Sequence, residues 1–91
     1  MSFDLCFVGP YASFLNQELG NGEKWIRDTV NDKTGVSLCV VYGYIPQQTV
    51  AEIAIKLKLV LQNNKSNKDF CRTCRLFAKA KKMKLAAQVS W

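Results

Sequence analysis

Histidine is absent from this chain. It is the side chain that most often serves as a general base, so Ser-His and Cys-His nucleophile pairs are absent with it. The sequence also lacks a glycine-rich phosphate loop, because Gly20-Asn21-Gly22 has neither the spacing nor the lysine of such a loop. The acidic residues are scattered without apparent pairing. We therefore expect a protein that is not an enzyme and that uses no cofactor.

Long apolar runs are missing as well. The longest, Val50–Leu61, is interrupted by one glutamate and two lysines, whereas about 20 uninterrupted apolar residues are needed to cross a bilayer. Residues 1–12 contain Asp4 and no basic side chain, which is not the pattern of a secretory signal. We expect a cytoplasmic or nuclear protein that is not secreted and has no transmembrane segment.

Acidic residues are nearly absent from the last third of the chain. Residues 1–55 carry three basic and six acidic side chains, a net charge of −3, whereas residues 56–91 carry ten basic side chains against Asp69, a net charge of +9. This segregation is unfavourable in a compact domain, because like charges repel each other when the chain folds. It indicates an anionic partner.

The apolar content is high enough to form a folded core. Of 91 residues, 48% are hydrophobic and 11% aromatic, which excludes a wholly disordered basic tail. The length suits one small domain. We predict a single α+β domain over residues 1–91, in which helices cover a short β-sheet. Residues 1–63 form its near-neutral to acidic part, and residues 64–91 contain a basic amphipathic C-terminal helix.

The first half of the chain predicts two strands and two helices. Phe3–Val8 is rich in β-favouring residues and stops at a Gly-Pro pair. Tyr11–Leu19 and Glu23–Asp32 place apolar residues at helical spacing. Val36–Ile45 has no charge and many β-branched and aromatic residues, which predicts a central strand buried on both faces and paired with the first strand.

The segment Thr49–Gln62 allows two interpretations. Its odd positions from Ala51 to Leu61 are all apolar, as in a strand, but its polar residues share one face of a helix, which only Lys58 violates. A length above ten residues and the proline before the segment favour a helix slightly. Helix and strand both remain open.

The strongest pattern is a basic helix after the polar linker at 63–67. Ser66 and Asp69 have the spacing of a capping box, and the helix is predicted to run to about Leu85. Its bases form one stripe. The opposite face carries Phe70, Cys74, Phe77 and Ala78, and we expect the first three of these to pack on the core.

This basic stripe predicts binding to nucleic acid. Cations along one face can contact several backbone phosphates, and each neutralised phosphate adds a salt-dependent contribution that is insensitive to base sequence. Aromatic residues that stack on unpaired bases are sparse in this part of the sequence, so duplex or structured RNA suits it better than single strands. The candidate nucleic-acid-binding residues are Lys68, Arg72, Arg75, Lys79, Lys81, Lys82 and Lys84.

Other partners fit the same features. The bases at 79–84 match the short pattern of a nuclear localisation signal. A basic amphipathic helix also binds anionic membrane surfaces, although the short apolar face at 70–77 disfavours a membrane here. The rival hypothesis is a protein-interaction adaptor, in which exposed aromatic residues dock a partner protein. The aromatic residues concerned are Tyr11, Trp25, Tyr42 and Tyr44. A homodimer would double the basic stripe.

Small size, many Asn and Lys residues and a lack of catalytic residues are typical of accessory proteins of viruses and other compact genomes.

The four cysteines carry one motif, Cys71-Arg72-Thr73-Cys74. A CxxC pair is found in redox sites, and it would be half of a zinc site if Cys6 and Cys39 completed it. Structural zinc usually needs two such pairs or histidines, so we predict core packing and no metal. We expect all four thiols to be free, because disulfides are rare in reducing compartments.

One resemblance depends on the open segment. If Thr49–Gln62 and 70–77 are both strands, the order after the first helix is helix, three strands, helix, which resembles the double-stranded RNA-binding domain. The sequence KAKKMKLAAQ at 79–88 is similar in kind to the lysine cluster that opens the last helix of that family. The resemblance spans about 80 residues, and it implies phosphate contacts by Lys79, Lys81, Lys82 and Lys84 across a groove.

Overall fold

A computed structural model describes residues 4–19, 28, 30–32, 34 and 43–90. The elements are β1 (Asp4–Val8), α1 (Ala12–Leu19), β2 (Gly43–Ile45), α2 (Gln47–Leu59), a short 3-10 helix (Leu61–Asn64), α3 (Lys68–Lys82) and β3 (Ala86–Ser90). The described residues between 28 and 34 are also helical. These elements form a small α+β domain, which confirms the predicted fold class.

The sheet has three antiparallel strands in the order β1-β3-β2. The sequence predicts that Phe3–Val8 pairs with Val36–Ile45, and this is wrong for the described residues, because β3 lies between β1 and β2. The sequence does not predict β3. Tyr44 of β2 is 61% exposed, so β2 is covered on one face rather than on both. Residues 36–42 lie outside the described residues.

The core lies between the inner face of the sheet and the helices. The inner face of the sheet carries Leu5 and Phe7 of β1 and Val89 of β3, and all three side chains are buried. The ring of Phe7 meets the ring of Phe77 edge to face, with centroids 5.6 Å apart and planes at 81°, a favourable geometry for aromatic pairs. α3 therefore packs directly on the sheet.

The predicted packing face of the last helix is mostly confirmed. Phe70 and Phe77 are fully buried, and Cys74 is half-buried against the same core. Leu76 and Ala80 complete this face of α3. Ala78 was expected on this side, but it is exposed, because α2 leaves an open groove beside it.

The open segment 49–62 is helical over most of its length. Val50, Ile53 and Leu57 are fully buried, and their spacing of three and four residues matches one face of a helix. The amide of Val50 donates to the carbonyl of Pro46 at 3.0 Å, which fixes the first turn. Since 70–77 is also helical, the strand order of the double-stranded RNA-binding domain is absent from the described residues, and that resemblance is wrong.

The ends of α3 differ from the predicted ones. Asn67 rather than Ser66 caps the helix, because its side chain accepts a hydrogen bond from the Phe70 amide at 3.0 Å. The helix ends at Lys82 instead of Leu85. The Leu85 amide donates to the Ala80 carbonyl at 2.9 Å, which is the pattern of a Schellman motif. Leu85 is then buried, and the chain turns into β3.

Two tight turns meet at one end of the sheet. The first, residues 9–12, is closed by a 3.1 Å hydrogen bond from the Ala12 amide to the Gly9 carbonyl. Gly9 has a φ of +144°, and a Cβ there would lie 2.6 Å from Cδ2 of Leu85. The second turn, residues 83–85, is therefore in direct contact with the first. Only glycine fits this close approach without displacing Leu85.

The outer edge of β1 is closed by a side chain. Oδ1 of Asn16 in α1 accepts a hydrogen bond from the Phe7 amide at 2.7 Å, and Nδ2 of the same residue donates to the Phe7 carbonyl at 2.9 Å. The Asn16 amide thus takes the place that a neighbouring strand would occupy. Blocking an edge in this way disfavours pairing with another chain.

The predicted strand Phe3–Val8 and helix Tyr11–Leu19 are confirmed as β1 and α1, within one residue at each start. The predicted helix Glu23–Asp32 lies largely outside the described residues, although Asp28 and 30–32 are helical. Among the helices that the structure describes, none combines the length and the apolar character that crossing a bilayer requires.

Candidate nucleic-acid interface

α3 presents three sectors to its surroundings. Phe70, Leu76 and Phe77 face the core. On one side of the helix, Arg72, Arg75 and Lys79 reach Glu18 of α1. On the other side, the two cysteines and Lys81 line a groove next to α2. The helix therefore divides the candidate residues into groups with different surroundings.

Glu18 engages three of the seven predicted residues. Its Oε1 lies 3.2 Å from Nε of Arg75, and its Oε2 lies 2.9 Å from Nζ of Lys79. Nη2 of Arg72 donates to the backbone carbonyl of Glu18 at 2.8 Å. Cations at the C-terminal end of α1 also complement the negative end of its dipole. These three side chains therefore join α3 to α1.

The same contacts change the acidity of Glu18. Its pKa is lowered, chiefly by the hydrogen bond from Lys79, with further lowering by the charges of Lys79, Arg75 and Arg72; partial burial opposes this. The carboxylate is 31% exposed, so solvent screens the pairs only in part. Glu18 is thus held ionised at neutral pH and offsets part of the positive charge of α3.

Four predicted residues remain available, and two further lysines join them. All six are exposed, and none forms an ion pair within the described part of the chain. We call these side chains the unpaired lysines: Lys58, Lys65, Lys68, Lys81, Lys82 and Lys84. Lys56 differs from them, because it pairs with Glu52 at 3.1 Å along α2. The unpaired lysines therefore carry six positive charges that no ion pair of the described residues offsets.

An open groove separates α2 from α3. Its floor is apolar, and its lining contains no acidic residue. The lining residues are Ala54, Ile55, Lys58, Leu59, Leu61, Gln62, Lys65, Cys71, Cys74, Arg75, Ala78, Lys81 and Lys82. Leu59 on its border is 78% exposed. We call this feature the α2–α3 groove, and four of the unpaired lysines lie on it.

The CxxC cysteines lie on the margin of this groove. Burial, together with the nearby Cys71, raises the pKa of Cys74 to about 11, so this thiol stays protonated at neutral pH and is a poor nucleophile. Sγ of Cys71 donates to the carbonyl of Lys65 at 3.3 Å. Packing against the core is the role that the geometry of Cys74 supports.

The zinc alternative gains no support from the described residues. No group of three metal-binding side chains occurs among them. Cys6 is exposed on the outer face of the sheet, on the opposite side from α3, so it cannot complete a site with Cys71 and Cys74. Cys39 lies outside the described residues. Cys6, Cys71 and Cys74 are free thiols.

Two exposed aromatic residues stand at the turn end of the molecule. The rings of Tyr11 and Phe14 are stacked, with centroids 6.4 Å apart and planes at 27°. Tyr11 is 73% exposed and Phe14 is 68% exposed. The turn that carries Tyr11 contacts Leu85, the neighbour of Lys84. The fold therefore brings aromatic rings to the end of the basic helix.

Sequence reasoning missed these rings and two of the cations. Tyr11 is predicted as an exposed docking residue, but neither ring is assigned to the basic cluster, whose last member, Lys84, is about 70 residues further along the chain. Lys65 lies in the predicted polar linker. One sequence feature indicated Lys58, because it is the residue that violates the helical pattern of its segment. In the structure Lys58 is exposed beside the groove.

Comparison with known proteins gives no relative. No protein-family model, no curated protein and no solved structure matches this chain.

Proposed function

We propose that the protein is a non-enzymatic nucleic-acid-binding module, with RNA as the favoured partner. The observation that carries this proposal is the set of six unpaired lysines, all exposed and all within residues 58–84. Like charges gathered on a small domain repel one another unless an anion lies between them. A polyanion with regularly spaced charges satisfies several of these lysines at once.

The expected binding is electrostatic and weakly specific. Lysine is a point charge that contacts phosphate oxygens, and phosphate contacts carry no direct information on base sequence. If all six unpaired lysines contact phosphates, the logarithm of the binding constant should fall with the logarithm of salt concentration at a slope of about −4 to −5. A location in the cytoplasm, the nucleus or both is part of the proposal, with nuclear entry through residues 79–84.

The three cations bound to Glu18 have a different role in this proposal. Arg72, Arg75 and Lys79 hold α3 in place against α1, and their charge is already partly offset. Reversing their charge would disturb the fold and the surface together. They are therefore poor positions for testing binding, and the unpaired lysines are better ones.

The test is a titration against three labelled ligands: duplex RNA, duplex DNA and single-stranded RNA, each at several salt concentrations. The substitutions Lys65→Gln, Lys68→Gln, Lys81→Gln and Lys82→Gln are combined in one variant. Lys56→Gln is the matched control, because Lys56 is paired with Glu52. We expect micromolar or tighter binding by the unaltered protein at low salt.

The combined variant should bind at least tenfold more weakly, with a salt slope reduced by roughly one for each lysine removed. Lys56→Gln should change neither quantity appreciably. The proposal fails if the unaltered protein binds none of the three ligands at low salt, or if the combined variant binds as tightly as Lys56→Gln.

The α2–α3 groove favours a second candidate function, that of a protein-interaction adaptor. Its apolar floor and its cationic border complement a partner helix with apolar residues on one face and acidic residues on the other. Leu59, exposed on this border, is a natural anchor. A second copy of the chain would be another protein partner, and sedimentation velocity tests for such a homodimer.

This adaptor function is tested with a fluorescent acidic amphipathic helical peptide. Binding should survive moderate salt and should be lost on Leu59→Asp, because the aspartate removes apolar area and adds a like charge. The lysine variant also removes three lysines from the groove border, so its peptide binding should weaken, but less than its RNA binding. That result would assign the lysines to the nucleic-acid function and the groove to the adaptor function. Failure of Leu59→Asp to weaken peptide binding would count against the groove.

A further inference from the structure

Two residues in the described part of the chain, glycine apart, have a left-handed backbone. Tyr11 has a φ of 63° and Lys84 has a φ of 58°. This conformation is unfavourable for any residue with a Cβ, and glycine or asparagine is the usual occupant. A strained backbone that persists in a fold is a pointer to function when its side chain is itself unusual. Here the two side chains are an exposed aromatic ring and an unpaired cation.

These two residues lie in neighbouring turns. Val8 of β1 pairs with Ala86 of β3, so the turn after β1 and the turn before β3 leave the sheet at the same end. Gly9 lies directly against Leu85, because a Cβ at residue 9 would be only 2.6 Å from Cδ2 of Leu85. Tyr11 is two residues beyond Gly9, and Lys84 immediately precedes Leu85. The sheet therefore holds residues 11 and 84 in two turns that meet at the same end of the molecule.

The second ring extends this surface toward the basic helix. Phe14 stacks with Tyr11 and precedes Glu18 by one turn of α1. Glu18 holds Arg75 and Lys79 of α3. Phe14 and Glu18 thus lie on the face of α1 that borders α3. α1 therefore carries Phe14 and the anchor of the basic helix one turn apart.

We propose that Tyr11, Phe14 and Lys84 form a contact site for one unpaired nucleotide, in which a base stacks on the two rings and Lys84 binds an adjacent phosphate. This inference rests on the proposed nucleic-acid function and narrows its substrate class to single-stranded or looped RNA. It reverses the sequence-based preference for duplexes, which depended on the scarcity of aromatic residues near the basic helix. In a duplex the base faces are covered by neighbouring base pairs, whereas unpaired bases can stack on aromatic side chains.

The experiment uses three RNA ligands of equal length: a single strand, the same strand with abasic sites, and its duplex. The first two carry the same number of phosphates, and the duplex carries twice as many. All are titrated against the full chain at one low salt concentration. The site variant combines Tyr11→Asn with Phe14→Ser. Asparagine tolerates the left-handed conformation of residue 11, so this variant removes both rings without adding backbone strain.

The unaltered protein should prefer the single strand to the abasic strand, and the site variant should lose roughly 5- to 150-fold in affinity for the single strand, as expected for one stacked base. Its affinities for the abasic strand and the duplex should stay within about twofold of the unaltered protein, because no phosphate contact is removed. Tyr44→Ser is the matched control, because Tyr44 is an equally exposed tyrosine on the outer face of the sheet. That variant should bind all three ligands normally.

A second arm examines the cation. Lys84→Gly should raise the midpoint of thermal unfolding, because glycine relieves the left-handed strain. It should also weaken binding to the single strand and to the abasic strand by the same factor, since both carry the same phosphates.

Phe14→Trp should preserve the preference for the single strand, because it keeps an aromatic ring at this position. This variant therefore separates loss of a ring from loss of folding.

Each outcome has one meaning. Equal losses on all three ligands for the ring variant, or no loss on the single strand, would overturn the contact site while leaving the proposed function standing. Failure of the unaltered protein to bind any RNA would overturn the proposed function and this site with it. If circular dichroism shows that the ring variant is unfolded, Phe14→Trp and Lys84→Gly test the site instead. Loss of the preference for the single strand in Phe14→Trp would then overturn the site.

Discussion

At the scale of single residues, Glu18 links the stability of the fold to pH. Its pKa is lowered in the folded protein, chiefly by the hydrogen bond from Lys79. A lowered pKa means that the contribution is fully present above the ordinary glutamate pKa of about 4.3 and is lost as the pH falls through the folded value. Acidification below about pH 4 should therefore loosen the contact between α1 and α3.

The corresponding variant is Glu18→Gln. At pH 7 it should lower the free energy of unfolding by about 1 kcal/mol, because it removes two ion pairs from a partly exposed site. At pH 3 the two proteins should differ less, since the carboxyl group is then largely protonated in the unfolded chain and the contribution of Glu18 is lost as the pH falls toward the lowered pKa of the folded chain. Urea unfolding at both pH values measures this difference.

Glu52→Gln is the matched control for this measurement. Glu52 pairs with Lys56 within one exposed turn of α2, and such a pair contributes roughly 0.3 to 0.5 kcal/mol. A pH dependence that is the same in Glu18→Gln and in the unaltered protein would contradict the assigned role of Glu18.

At the scale of the elements, the edge of β1 depends on one amide. Asn16 satisfies both the amide and the carbonyl of Phe7. We expect Asn16→Leu to cost about 1 to 3 kcal/mol, because two backbone groups lose their partner at a partly buried site. Asn16→Asp should also destabilise the protein, since its carboxylate accepts from the Phe7 amide but cannot donate to the Phe7 carbonyl.

Denaturant unfolding measures these losses, and sedimentation velocity detects a second effect. An open edge in Asn16→Leu should allow strands of two molecules to pair, so the variant should self-associate more than the unaltered protein. Asn31→Leu, at an exposed helical position, controls for the added hydrophobic side chain. Equal association of the two variants would show that the edge is not responsible.

Local patterns predict α1 and α3, they leave α2 open between helix and strand, and they do not predict the central strand. α3 follows from the contrast between its basic face and its apolar face, because that contrast has the period of a helix. The sequence of β3, AAQVS, has little strand preference of its own. Ala87 and Val89 form a strand because Phe7 and Ile45 lie in the rows on either side of them, which is information from distant parts of the chain.

The predicted end of α3 failed for a related reason. Lys84 occupies a left-handed position that normally carries glycine, so the sequence gives no stop signal there. Asn67 rather than Ser66 caps the other end, a shift of one residue that the spacing of the capping box did not reveal.

At the scale of the whole molecule, the distribution of charge should make stability rise with salt. Raising the ionic strength from about 10 mM to about 150 mM shortens the screening length from about 30 Å to about 8 Å. This weakens repulsion among the unpaired lysines and also weakens the pairs of Glu18. Because the unpaired lysines outnumber the cations at Glu18, we expect the midpoint of thermal unfolding to increase.

The variant that combines the four substitutions to glutamine tests whether lysine repulsion causes this salt effect. Its substituted residues are Lys65, Lys68, Lys81 and Lys82. It should have a higher midpoint at low salt and a weaker salt dependence than the unaltered protein, as differential scanning calorimetry would show. A midpoint that falls with salt in the unaltered protein would mean that the Glu18 pairs outweigh the repulsion. The proposed function predicts that short RNA added at low salt raises the midpoint further, because a ligand of the folded state alone stabilises that state.

The candidate interface was only partly predictable from the sequence. The exposure of Lys68, Lys81, Lys82 and Lys84 follows from the helical stripe. The engagement of Lys79 by Glu18 does not, because these residues are 61 positions apart. The position of Tyr11 beside Lys84 depends on the pairing of β1 with β3, and no local pattern contains it.

The central position of β3 also determines when the molecule can take shape during its synthesis. β1 and β2 leave the ribosome first, but within the described sheet each hydrogen-bonds to β3 and not to the other. The sheet must wait until residues 86–90 have been translated, and its closure joins segments almost a whole domain apart, which is a slow step in folding. The turns that carry Tyr11 and Lys84 therefore meet only at that late moment, so the proposed nucleotide site is not assembled on a nascent chain.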